Sequence, residues 1–181
     1  PEAIIVGSAG MLTEQKAHSV LVEAVDKANA ESERPIELVI SGDGPLREQL
    51  ETQIQTATHS DRLHLLGFLD RREQVYKMMH EIDIYAMPSR WEGFCVAALE
   101  GMALDNACVF AEIPEFKHPF DGVARFHPVD DSVALAGQLV SIADDYTLRQ
   151  QLAEKAKSAV VTEYTLQRTA EAYLEQYQSH L

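Results

Sequence analysis

Apolar residues along this chain gather in short runs separated by longer amphipathic stretches. Six runs, at residues 3–6, 36–40, 63–66, 82–87, 107–111 and 123–126, have the length of strands. Between them, residues 16–30 place Val20, Leu21, Ala24, Val25 and Ala28 on one helical stripe, and residues 45–55, 71–79 and 94–104 supply further helical segments. Strand followed by helix, repeated, predicts an α/β domain with a parallel sheet flanked by helices on both faces. After Asp131 the pattern is purely helical. Val133, Ala136, Leu139, Val140 and Ala143 share one face, and Thr147 with Gln150 reads as a capping box opening the next helix. Leu166, Ala170, Tyr173, Leu174 and Tyr177 form the stripe of a packed terminal helix over 166–181.

In an open parallel sheet, ligands bind beyond the carboxyl ends of the strands, where the connections diverge. Four stretches fall there: Gly7 to Gly10 leading to Lys16, "SGDGP" at 41–45, "GFLD" at 67–70 and "PSRWEGF" at 88–94. Each carries glycine or turn residues that let a backbone approach a ligand closely. The first of them lacks the Gly-x-Gly-x-x-Gly spacing of a dinucleotide site.

Two acids stand out because of their neighbours. Glu92 and Glu100 lie eight positions apart, which on a continuous helix puts them within about 80° of each other and facing one cleft. Phe94, Cys95, Val96, Ala97, Ala98 and Leu99 between them are apolar all round, which predicts a helix enclosed on most sides with acids at its rim in need of partners.

Composition narrows the function. The chain's 181 residues, 46 % hydrophobic, suit one domain with one core. A formal net charge of −14 with no basic stripe excludes binding to a nucleic-acid backbone, which needs clustered Lys and Arg. Cys95 and Cys108 sit in apolar runs without metal-ligand spacing and read as reduced, buried thiols, which fits a cytoplasmic compartment. No apolar stretch approaches the ~18 residues of a membrane span, and no secretion signal opens the chain. A sequence that begins at Pro1 and enters a strand within two residues looks cut from something longer.

Taken in order, "GMLTEQKAH", "SGDGPLREQLE", "LLGFLD", "YAMPSRWEGFCVAALEGMA" and "IPEF" resemble the C-terminal, donor-binding half of GT-B glycosyltransferases, in particular glycosyltransferase family 4, over nearly the whole chain. The resemblance makes Glu92 to Glu100 the E-x7-E motif. It implies that Glu92 faces the donor sugar, Glu100 binds the ribose hydroxyls and Lys16 meets the phosphates. It sets the backbone of Gly93, Phe94, Cys95 and Val96 beside sugar and phosphate, and Gly42, Gly44, Phe68 and Leu69 around the nucleoside. The chemistry is consistent with those roles. Ionised carboxylates accept hydrogen bonds from hydroxyls, and a helix N-terminus near Phe94 supplies about half a positive charge to an anion.

The implied activity is retaining transfer of a sugar from a nucleotide-diphosphate donor to an acceptor, in polysaccharide, lipopolysaccharide or glycoconjugate biosynthesis. The implied enzyme needs no cofactor beyond its donor substrate and no catalytic metal, in keeping with the lack of an Asp-x-Asp, and its activity survives chelation. The expected unit is a single Rossmann-like domain over 1–181 that binds donor but is inactive without an N-terminal acceptor-holding domain. The acceptor is left open. Such an enzyme works in the cytoplasm, and peripheral attachment to the inner face of a membrane is compatible where the acceptor is a lipid.

Several residues depart from the family pattern. Met11 stands where an arginine usually adds a second cation for the phosphates, and a charged bond of that kind is worth roughly 1.5–3 kcal/mol. Arg90 is the available substitute. Ala17 replaces a glycine after the lysine, Cys95 replaces the second glycine of "EGFG", and "ALDNACVF" replaces "ACGxPV". These departures keep two alternatives open: a GT-B sugar-nucleotide epimerase, and a non-catalytic nucleotide-sugar-binding or partner module. His18 lies near the lysine loop and His118 follows the "IPEF" turn, both read as packing or surface residues; His59, His64, His80, His127 and His180 have no evident partners.

Overall fold

The computed structural model describes residues 2–178. All six expected strands form: β1 (Ile4–Ala9), β2 (Ile36–Ser41), β3 (Leu63–Gly67), β4 (Ile84–Met87), β5 (Ala107–Ala111) and β6 (Arg125–His127). They make one parallel sheet in the order β3-β2-β1-β4-β5-β6. The helices are α1 (His18–Ala28), α2 (Arg47–Thr56), α3 (Arg72–His80), α4 (Val96–Ala103), α5 (Pro114–Phe120), α6 (Ser132–Asp144), α7 (Tyr146–Glu163) and α8 (Leu166–Gln178).

The strands are apolar on both faces because both faces are covered. Ile4, Val6, Ile36, Leu38, Ile40, Ile84, Ala86, Ala107 and Val109 point into one layer with α1 and α6, whose Leu21, Val25, Leu135, Leu139 and Ile142 are fully buried. Ile5, Val39, Tyr85, Met87, Cys108 and Phe110 alternate into the other layer. There they meet Met79 of α3, Ala98 and Met102 of α4, Phe116 and Phe120 of α5 and Ala156 of α7. The period of two along each strand thus divides the core between the two sides of one sheet.

Four local expectations are corrected. The "IPEF" stretch is not a turn: α5 starts at Pro114, whose missing N–H costs nothing in a first helical turn, and Phe116 is buried among aromatic rings. The cap of α7 is Asp145, whose carboxylate accepts from the Leu148 N–H, so Thr147 already lies inside the helix. The helix expected from Phe94 begins at Val96, and it is not enclosed: Ala98, Gly101 and Met102 are buried, while Phe94 and Val96 are exposed. The terminal helix exists, but it does not pack. None of its described residues is buried and Leu166 is 90 % exposed, so the stripe of Tyr173, Leu174 and Tyr177 faces outward; the expected residues 179–181, with His180, lie outside the described residues.

Candidate functional site

Between β1 and β4 the sheet order reverses direction, since β1 leads outward to β2 and β3 while β4 leads to β5 and β6. The loops after these two strands diverge and leave a crevice at their carboxyl ends. Lys16 comes from the first loop and Glu92 from the second, and they meet there: Lys16 Nζ donates to Glu92 Oε1 at 2.6 Å. Glu92 is 5 % exposed on its side chain, so its charge is compensated chiefly by this ammonium. Lysine carries three N–H donors, and the pair leaves two of them for a ligand.

The loops are stitched to one another. Arg90 N–H donates to the Gln15 carbonyl at 2.8 Å and Gln15 Nε2 to the Trp91 carbonyl at 3.0 Å. Arg90 Nε donates to both carboxylate oxygens of Asp130, at 2.8 and 3.0 Å, and its Nη1 donates to the Glu14 carboxylate at 2.6 Å and the Glu14 carbonyl at 2.8 Å. Those bonds raise the Arg90 pKa further, the one to Glu14 foremost. Arg90 therefore ties together the loops after β1, β4 and β6. Two acids already match its charge, so it offers a phosphate less positive potential than a free arginine would.

Beside the Lys16–Glu92 pair lies a cleft of about 280 Å³ whose wall is largely apolar. Gly42, Phe68, Leu69, Ala97 and Glu100 line it, and so does Met11. Its floor is backbone. Gly10 N–H donates to the Ser41 carbonyl, Leu12 N–H to the Asp43 carbonyl and Gly42 N–H to the Gly67 carbonyl, at 2.8–3.0 Å. Gly42 has φ 147°, and a Cβ there would overlap the Gly10 carbonyl oxygen, so glycine is what lets the first two loops cross. Met11, largely exposed, puts a thioether in the wall where a cation would have served an anion.

The two acids of the motif face different partners. Because α4 begins only at Val96, Glu92 sits in the preceding loop and the helical angle expected between it and Glu100 does not apply. Glu92 belongs to the lysine pair and is not in the cleft lining, whereas Glu100, from the middle of α4, does line it. Gly93 has open space around it, and Phe94 stands 6.3 Å from the Tyr164 ring, outside the cleft. Cys95 precedes α4 without a side-chain capping bond, its thiol donating instead to Met87 Sδ at 3.8 Å; burial pushes that thiol up and keeps it protonated. The first turn of α4 therefore keeps backbone N–H groups for an anion.

Two participants were not legible in the sequence. Arg72 Nη2 and the Tyr76 hydroxyl both donate to Glu100 Oε1, at 2.7 and 2.9 Å. Their i,i+4 spacing on α3, beside Val75 and Met79 of the cleft wall, is the signal that marks one helix face. His18 is buried with Nδ1 unpartnered, and burial together with the Lys16 charge pushes its pKa down to about 4, so it is neutral at pH 7. Cys95 and Cys108 are both free thiols. No described helix is long and apolar enough to cross a membrane, and no group of three or more His, Cys, Asp or Glu among the described residues is placed to hold a metal ion.

A family model for glycosyl transferases group 1 matches residues 1–159. The chain belongs to that family. Among curated relatives, the O-antigen biosynthesis glycosyltransferase WclY of Escherichia coli is 29 % identical over 120 residues, covering 66 % of this chain and 32 % of WclY. The chain thus spans about a third of the length of that relative. The fold of the group 1 domain recurs in solved structures. A variant of S. aureus TarM in complex with fondaparinux, alpha-GlcNAc-glycerol and UDP superposes with a TM-score of 0.85 at 16 % identity, over 94 % of this chain and 34 % of that one. The C-terminal domain of LpcC, a group 1 family protein from Francisella tularensis, superposes with a TM-score of 0.82 at 20 % identity, over 90 % of this chain and 87 % of that domain.

Proposed function

We propose that this chain is the donor-binding domain of a retaining glycosyltransferase of family 4, which moves a sugar from a nucleotide-diphosphate donor to an acceptor during O-antigen or related glycoconjugate synthesis. The observation that carries the reading is the Lys16–Glu92 pair at the β1–β4 switch point, adjoining an apolar cleft that holds Glu100. A nucleoside fits the cleft, its base against Phe68 and Leu69 above the Gly42 backbone and its ribose hydroxyls donating to Glu100. The diphosphate then meets the free N–H donors of Lys16 and the first turn of α4. These charges stabilise the leaving diphosphate as the glycosidic bond breaks, and Glu92 orients the sugar. A protein of the same fold, the TarM variant, is in complex with UDP, which supports a nucleoside diphosphate as the class of ligand. Acceptor recognition belongs to a further, N-terminal domain, so this chain by itself binds donor and transfers almost nothing.

Titration calorimetry with UDP, GDP and ADP tests the reading. One nucleotide series binds, and Glu100→Ala weakens it about 10-fold or more, the cost of a charged hydrogen bond. Lys16→Ala weakens it as well, and it is compared with the Lys16→Ala/Glu92→Gln double variant so that an orphaned Glu92 charge does not account for the loss. Failure of all three nucleotides to bind would refute the proposal. A second reading, a module that binds the sugar nucleotide without transfer, is favoured by Met11 in the cleft wall and by the engagement of Arg90 with Glu14 and Asp130. Nucleotide binding by a full-length protein that releases no sugar from any donor would select it.

A further inference from the structure

Glu100 is gripped through one oxygen. Both Arg72 Nη2 and the Tyr76 hydroxyl donate to Oε1, and among the described residues no hydrogen bond is made to Oε2. The two donors sit one turn apart on α3, with the Arg72 guanidinium 5.5 Å from the centre of the Tyr76 ring, so the arginine also steadies the tyrosine. Glu100 lines the apolar cleft on one side and, on the other, a smaller hollow shared with Tyr76, Ala103 and Leu104. It is therefore the partition between them. We infer that Tyr76, with Arg72, is a positioning residue that fixes the Glu100 carboxylate so that Oε2 reads the hydroxyls of a ribose in the cleft, an inference that rests on the donor-binding function proposed above.

The physical argument is preorganisation. A glutamate free to rotate loses rotamer entropy when it grips a ligand, and two donors on one oxygen remove that freedom before the ligand arrives. They leave the other oxygen as an acceptor beside the apolar Phe68, Leu69, Val75, Met79 and Ala97, across a wall whose other polar side chains are Ser41 and Asp43. The hydrogen bond to Glu100, first among the causes, holds the Tyr76 phenol above its ordinary range, so it remains a donor at neutral pH.

The test compares UDP, GDP and ADP with their 2′-deoxy forms by calorimetry on the wild-type chain, Glu100→Ala and Tyr76→Phe. Tyr76→Phe keeps the ring and its contact with Arg72 and removes only the hydroxyl. The wild type prefers the ribonucleotide by about 10-fold, Glu100→Ala abolishes the preference, and Tyr76→Phe cuts it to about 2- to 3-fold because the ribonucleotide loses more affinity than the 2′-deoxynucleotide. Full preference in Tyr76→Phe overturns the inference and leaves the donor reading standing, provided that Glu100→Ala still erases it. Equal loss for both sugars in Tyr76→Phe also overturns it, since Tyr76 is then only wall. A wild type that binds no nucleoside diphosphate, or a Glu100→Ala variant that keeps the preference, overturns the donor reading and this inference together.

Discussion

His18 follows the lysine of the site by two positions and begins α1 from inside the protein, where burial and the neighbouring ammonium hold its pKa near 4. In the unfolded chain the same imidazole titrates at about 6.5. Above that pH neither state carries the proton and the full contribution to stability is present. As the pH falls from about 6.5 towards 4 the unfolded chain takes up a proton that the folded chain refuses, so stability falls with pH through that window. The loss reaches up to about 3 kcal/mol, from a gap of roughly 2.5 pH units. Urea denaturation between pH 7.5 and 4.5 reads the slope directly, and His18→Gln flattens it. The slope does not vanish in the variant, because burial also lowers the pKa of His127 and adds a contribution of the same sign. An unchanged slope in His18→Gln would show that His18 is accessible to protons in the folded state.

The same close packing governs α4, which must lie flat on β4 for Glu100 to reach the cleft. Gly101 allows this: a Cβ there would overlap the ring of Tyr85, which is itself fully buried. Gly101→Ala is expected to cost about 3 kcal/mol or more, because neither the ring nor the helix can move without opening the core. A melting temperature within about 2 °C of wild type would show that the helix shifts freely. Sequence pattern located the strands well because a doubly covered parallel strand is a short, largely apolar run, and here such runs alternate with amphipathic stretches. It placed Lys16, Gly42, Phe68, Leu69 and Glu100 at loops or helices that the sheet gathers on one edge. It measured the angle between Glu92 and Glu100 as if one helix carried both, since periodicity carries no mark of where a helix starts and Cys95 is a weak cap. It missed the Arg72 and Tyr76 bonds to Glu100, which join two helices that are distant in the chain. For α8, an apolar stripe states that a face wants cover but not which surface covers it, and here the stripe faces outward.

On the scale of the whole molecule the charge is uneven in a way that bears on how a donor arrives. The chain carries −14 overall, yet the donor proposed for its site is an anion. Four cations stand in or around that site, and each is matched by acid: Lys16 by Glu92, Arg72 by Glu100, Arg90 by Glu14 and Asp130, and Arg47 by Asp43 and Glu51. Attraction is therefore short-ranged, coming from Lys16 donors and the α4 amides at contact, while the long-range field repels a diphosphate. Salt screens the second far more than the first, because the Debye length shrinks from about 20 Å to about 6 Å between 20 and 300 mM salt whereas contacts inside the crevice are shorter than either. The association rate of the preferred nucleoside diphosphate should accordingly rise with ionic strength over that range, by about 3-fold, with the dissociation rate changing less. Stopped-flow binding at the two salt concentrations measures both. An association rate that falls with salt would mean that the site presents net positive potential to an approaching ligand, and the pairing of its four cations would then have to open before the donor reaches contact.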